Sequence, residues 1–265
     1  MTKTMRWLSR TALVAALVGG AACDDATSLE SLDDTMTIDA AMVAADATIQ
    51  EARMWREPFL FGSVPAVSAS DSETQSTAHS GGRRMWSGSL ERSRSVVFYD
   101  EAGVEQDAYD ALTTDQIHID HVMSGLVERE RFTAQIERER SMVVSGLVGD
   151  ESTRTWNGSA DSFTARSGVL EDGTERSHSM TGAASYMNIV VPTPGTEPGY
   201  PLSGTIERSM VGTRTNAEGT RTREVTVVIT FNGTQFADAT VNGEAIEIDL
   251  AAQDGRRPFR RKRGG

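Results

Sequence analysis

The chain has 265 residues, a formal net charge of −12 and an apolar fraction of 38%. Apart from Lys3 and Lys262 its basic residues are arginines, and it has one cysteine. That balance excludes an intramolecular disulfide, argues against nucleic acid as a partner, and leaves apolar material for one globular domain.

Lys3, Arg6 and Arg10 precede a short apolar run, Thr11 to Val18. The run falls well below the roughly 18 apolar residues of a membrane-spanning helix. Small residues, Gly20-Ala21-Ala22, follow. Residues 1–22 therefore read as a signal peptide, and losing its three cations takes the net charge from −12 to −15. The next residue is the lone Cys23. The stretch Leu17 to Asp25 resembles the lipobox of bacterial lipoproteins, with Gly20 where that family most often has Leu. The resemblance implies a diacylglycerol thioether on Cys23, a membrane anchored through that lipid, and a place in the cell envelope, on the periplasmic side of the inner or outer membrane. Asp24 resembles the inner-membrane retention signal of enterobacterial lipoproteins.

Residues 23–35 are acidic and Ser/Asp-rich, a tether. Ile38, Met42, Ala45, Ile49 and Ala52 recur at helical spacing, which predicts a helix over 36–54 capped by Thr37 or Asp39. Residues 36–63 form this helix and its connection. The Ser/Ala/Thr/Gly composition of 64–83 predicts a flexible linker.

From residue 84 to 251 the pattern is β. Val225, Val227, Ile229 and Phe231 alternate with polar residues. Asn232-Gly233 and Asn242-Gly243 each suit a type I′ hairpin turn, so a three-stranded meander is expected at this end. Asp172-Gly173, Glu218-Gly219 and Asp100-Glu101-Ala102-Gly103 mark further reversals. Glu128-Arg129-Glu130-Arg131-Phe132 is mirrored by Ile136-Glu137-Arg138-Glu139-Arg140. Folding at Thr133-Ala134-Gln135 would place Glu128 opposite Arg140 and Arg129 opposite Glu139, each pair contributing roughly 0.2–1 kcal/mol. The alternative is one long bent strand. Either way, this part of the sheet should be wet on both faces.

A motif of Ser, Gly, a variable residue and an aliphatic begins at Ser87, Ser124, Ser145, Ser167 and Ser203. Three copies continue into Glu-Arg, at Glu91-Arg92, Glu128-Arg129 and Glu207-Arg208. The irregular spacing argues against a solenoid. Glycines repeated at one level of a meander would curl the sheet. The fold class expected is mainly β: a large antiparallel meander, able to curve into a half-barrel or open barrel, with one N-terminal helix.

Chemistry is hard to find. His118 and His121 are an odd number of residues apart and face opposite sides of a strand, which disfavours a metal site. No serine sits in a Gly-x-Ser-x-Gly elbow, and no phosphate-binding glycine loop occurs. The expectation is a non-enzyme with no cofactor or metal. The basic run from Arg256 to Arg263 reads as a disordered tail, 252–265, lying on an acidic body or touching anionic lipid. A half-barrel with a helix over its concave face is similar in architecture to periplasmic lipoprotein carriers. That similarity implies an apolar ligand or lipid-bearing client facing residues such as Met142, Val144, Val225, Val227 and Ile229. The alternative is a structural or interaction module that recruits an envelope protein.

Overall fold

The computed structural model describes residues 35–56, 73–75, 87–129, 132–149, 151–169, 173–193, 195–197, 199–252 and 258–260. The expected signal peptide, Cys23 and the expected tether up to residue 34 lie outside the described residues. One helix, α1 (Thr35–Arg56), precedes β1 (Glu73–Gln75), β2 (Ser87–Asp100), β3 (Glu105–Gln106), β4 (Thr114–Arg129), β5 (Phe132–Ser145) and β6 (Thr153–Val169). Then come β7 (Glu175–Pro192), β8 (Ser203–Asn216), β9 (Gly219–Thr230), β10 (Phe236–Val241), β11 (Glu244–Asp249) and β12 (Phe259–Arg260).

All twelve strands form one antiparallel sheet in the order β1-β2-β4-β5-β6-β7-β8-β9-β10-β11-β12, with β3 paired to β2. This is the expected meander, and its two ends do not pair, so it is open. At about 4.8 Å per strand the sheet is about 48 Å wide, whereas a helix is about 10–12 Å across. Yet Val96 and Phe98 of β2 share one buried cluster with Ile246 and Ile248 of β11 and with α1. One helix serves so wide a sheet only because the sheet curls around it.

The helix spans Thr35 to Arg56, a little longer than expected. Thr37 therefore lies inside the helix, buried, and neither it nor Asp39 is the cap. Ala45, Ile49 and Ala52 are buried as the spacing predicts, while Ile38 and Met42 are half-buried. The contact face is wider than that stripe and rich in alanine: Ala40, Ala41 and Ala44 are also buried. Small side chains let α1 approach β7, β8 and β9. At its C-terminal end Trp55 packs on Trp156, Tyr186 and Phe231, with ring centroids 6.2, 6.4 and 6.0 Å away.

The hairpin of β4 and β5 departs from the charge-matched register. Arg129 pairs with Phe132 and Glu128 with Thr133, so Thr133-Ala134-Gln135 is not the turn but part of β5. His121, not Glu128, lies opposite Arg140. Apolar burial decides this. The observed register puts Ile117 opposite Val144 and Ile119 opposite Met142, whereas the charge-matched one would put Leu126 opposite Met142 and Ser124 opposite Val144. Slipping by an odd number of residues sends one strand's apolar set to the wrong face. Each buried aliphatic contributes roughly 1.5–3 kcal/mol, more than an exposed cross-strand ion pair. Glu137, Arg138 and Glu139 are all exposed, so the stretch is wet on both faces.

Asn242 and Gly243 take positive φ, 50° and 89°, and form the tight β10–β11 turn expected of them. Asn232 does not take positive φ, unlike Gly233. There the connection is longer, and the Asn232 side chain instead accepts hydrogen bonds from the Thr234 amide and hydroxyl at 3.1 and 2.7 Å. Within the expected linker, residues 73–75 pair with β2 at Arg92, Glu91 and Leu90. Within the expected disordered tail, Phe259 and Arg260 pair with Ile248 and Glu247 of β11. Both segments cover a sheet edge whose free main-chain groups would otherwise lack partners. The repeated glycines do not share one level. Gly125 and Gly168 sit toward one end of the sheet, beside Ile136 and Phe132, while Gly146 and Gly204 lie toward the other, beyond Ser145 and near Asn188.

Candidate functional site

Residues paired across the sheet point to the same face, so the register assigns every strand position to the inner, helix-facing side or to the outer side. One inner row runs Val96, Ile119, Met142, Gly158, Tyr186 and Ile206 from β2 to β8. Two residues along, the next row reads Arg94, His121, Arg140, Ala160, Ala184 and Arg208. The row beyond reads Arg92, Met123, Arg138, Ser162, Gly182 and Met210. The inner face thus changes within two residues from an apolar core to a surface of guanidinium groups and small side chains.

At this level α1 does not fill the curve. A cleft of about 580 Å³ opens between the helix and β2–β8. Ala160, Ser162, Gly182 and Ala184 make its floor, and Met54, Met123, Met180 and Met210 line it. From α1, Val43, Asp46 and Gln50 face it, and Val43 is half-exposed. Glu139 and Asp161 border the cleft from strand positions that point outward.

The charges of the strands are sorted by face. On β2, Arg92 and Arg94 point inward and Glu91 outward; on β5, Arg138 and Arg140 inward, Glu137 and Glu139 outward. On β6 and β7, Arg166 and Arg176 point inward, Asp161 and Glu175 outward. On β8 and β9, Arg208, Arg214, Arg221 and Arg223 point inward, Glu207 and Glu224 outward. Asp120 and Glu128 of β4 point outward, away from the inward His121. The Glu-Arg alternation of the sequence is this sorting. With a side-chain period of two, alternating signs place each sign on its own face.

One buried carboxylate answers the inner cations. Glu51, on α1, accepts hydrogen bonds from Arg140 at 2.7 Å, Arg208 at 2.5 Å and the Tyr186 hydroxyl at 2.5 Å. Burial, then the Glu51 charge, push the Tyr186 hydroxyl up to about 12. Burial lowers the Arg208 pKa, but Glu51 and Tyr186 raise it, and the net shift is upward. Both arginines also lie over the Tyr186 ring, at 5.8 and 5.7 Å from its centroid. The network fixes the helix to β5, β7 and β8.

His121 lies across from Arg94 and Arg140. Burial, followed by the charges of Arg140, Arg92, Arg94 and Arg138, lowers its pKa. His118, on the outer face, packs on Tyr99 with ring centroids 4.6 Å apart. Among the described residues no group of three or more metal-ligating side chains gathers.

Met142, Val144, Val225, Val227 and Ile229 all lie on the inner face but are 0–2% exposed. They are packed core beside the cleft and do not line it. Sequence reasoning missed Glu51 and the arginine rows. Nothing set Glu51 apart from its acidic neighbours in the helix, whereas the arginine rows were present as the period-two alternation.

No protein family, curated protein or solved structure matches the chain. Among the described residues no helix is long and apolar enough to cross a membrane.

Proposed function

We propose that this protein is a non-enzymatic envelope lipoprotein, anchored through lipid on Cys23, whose inner cleft holds an apolar ligand or a lipid-bearing client. The observation that carries the reading is the cleft: about 580 Å³, open on one side, floored by small residues and lined by methionines. Ligand sites commonly occupy about 300–1,000 Å³. Flexible, polarizable methionines suit surfaces that accept varied apolar shapes. The lipobox-like start would keep such a binder beside a membrane.

Ala160→Leu places bulk on the cleft floor while leaving the core row untouched. The delipidated wild type should bind the neutral dye Nile red saturably, and this variant should bind it at least about tenfold more weakly at an unchanged melting temperature. Equal dye binding by both proteins would remove the cleft as the ligand site. Mass spectrometry of the mature N-terminus tests the anchor, and an unmodified Cys23 would end that part. The acidic outer face favours a second reading, an interaction module for a basic envelope partner. It predicts membrane capture of a partner that Ala160→Leu leaves intact.

A further inference from the structure

Among the described residues the inner face holds more cation than its one buried carboxylate answers. Glu51 is committed to Arg140, Arg208 and Tyr186. Arg92, Arg94 and Arg138 have no ion-pair partner among the described residues, and a buried Arg94 Nη2 lacks any hydrogen-bond partner. A guanidinium carries five donors in a fixed fork suited to carboxylate or phosphate oxygens; Arg92 and Arg138 hold theirs at exposed positions, and Arg94 is half-buried.

The register sets the shape of this cluster. Arg94 and Arg140 flank His121 across β2, β4 and β5, and Arg92 and Arg138 flank Met123 two residues along. Strands two apart lie about 9.6 Å from each other and two residues span about 6.8 Å, so the backbone positions of the four arginines frame a patch the size of one anionic head group, with Arg92 and Arg138 lining the cleft and Arg140 turned to Glu51. From that patch the lining passes to Met123, Met180 and Met210, an apolar path.

We propose that the cleft selects an amphiphile with an anionic head, a carboxylate or phosphate, gripped by Arg92 and Arg138, which line it beside His121, while its chain lies along the methionines. This rests on the cleft being the ligand site. The local field agrees with it: four arginines disfavour the charged form of His121, and no carboxylate raises its pKa.

The test is displacement of Nile red from the delipidated full-length mature chain by three probes. These are oleoyl lysophosphatidic acid, monooleoylglycerol with the same chain and no phosphate, and inorganic phosphate. Lysophosphatidic acid should bind at least about tenfold more tightly than monooleoylglycerol. Arg92→Gln and Arg138→Gln, both at exposed positions, should each weaken it about tenfold and leave monooleoylglycerol unchanged, while Arg138→Lys retains part of the difference. Inorganic phosphate alone should not displace the dye. Equal affinity for the two lipids in the wild type would overturn the anionic head and leave the apolar cleft standing. Displacement by phosphate as effective as by the lipid would overturn the amphiphile. Saturable dye binding that neither lipid displaces would overturn the selection, and no saturable dye binding at all would remove the cleft reading beneath it.

Discussion

Two halves of the same inner face answer the same backbone in opposite ways. Where β8–β11 meet α1, strand after strand offers aliphatics, Ile206, Val225, Val227, Ile229, Ala239 and Ile246, each no more than 4% exposed. Where β2, β4 and β5 pass beyond the helix, the corresponding positions hold Arg92, Arg94, His121, Arg138 and Arg140, which are half-buried or exposed. The contrast shows what curvature does. It lets one helix complete a core at one side and leaves a concave, polar space at the other, without a change of strand or topology. Glu51 sits at the seam. It belongs to the core helix, yet its partners are the last cations of the polar side.

The largest effect on this contrast should come from that seam. Glu51→Leu leaves Arg208, with a side chain only 11% exposed, as a buried cation without its carboxylate. The expected loss is about 3–5 kcal/mol. Adding Arg208→Met should recover most of it, since an apolar pair of similar volume often replaces a buried ion pair at little cost. Urea unfolding of both variants measures this. A double variant no better than the single one would mean that Arg140, not Arg208, dominates the seam.

A smaller effect is expected from the curve itself. A Cβ at Gly158 would overlap the Ser141 carbonyl oxygen and crowd Met142, both backbone and side chain. Gly158→Ala should therefore destabilise by about 1–3 kcal/mol, through overpacking rather than lost contact. Gly182 is the comparison. There the nearest atom is the Ser162 hydroxyl at 3.0 Å, the far end of a small side chain. Gly182→Ala should cost less, and matched thermal unfolding of the pair decides it. Equal losses would show that close strand packing at Gly158 is not special to the curve.

Much of the first half was legible in the residues. Alternation around Val225–Ile229 located the core strands, and Asn242-Gly243 carries the turn chemistry that its positive φ demands. The period of Ala45, Ile49 and Ala52 located the helix and its inner face. The second half was legible but ambiguous. Glu137-Arg138-Glu139-Arg140 fits cross-strand pairing and face sorting equally well, because a local sequence does not reveal its partner strand. The register settles it, and the register depends on long-range burial of Ile117, Ile119, Met142 and Val144 that no local pattern specifies. Glu51 was illegible for the same reason. Its partners are 89, 135 and 157 residues away.

The smallest effect tests whether the polar half is cationic in solution. His121 is faced by Arg94 from β2 and Arg140 from β5, with Arg92 and Arg138 two residues along. Across the cleft, α1 contributes Asp46, Gln50 and Glu51. Burial and the four arginines depress the His121 pKa in the folded protein, below the 6.5 of a free imidazole. The unfolded chain then takes up its proton first. Stability from this group is fully present above about pH 6.5 and is lost as pH falls through that value toward the folded pKa. His121→Asn has no such term. Groups common to both proteins cancel in the difference between wild type and variant. That difference, followed by urea unfolding from pH 7.5 to 5, should shift against the wild type as the solution is acidified. A difference that does not change with pH would mean that acidic groups reach the arginines in solution. An anion bound in the cleft should reduce the slope, because it screens the arginines and gives the imidazolium a partner.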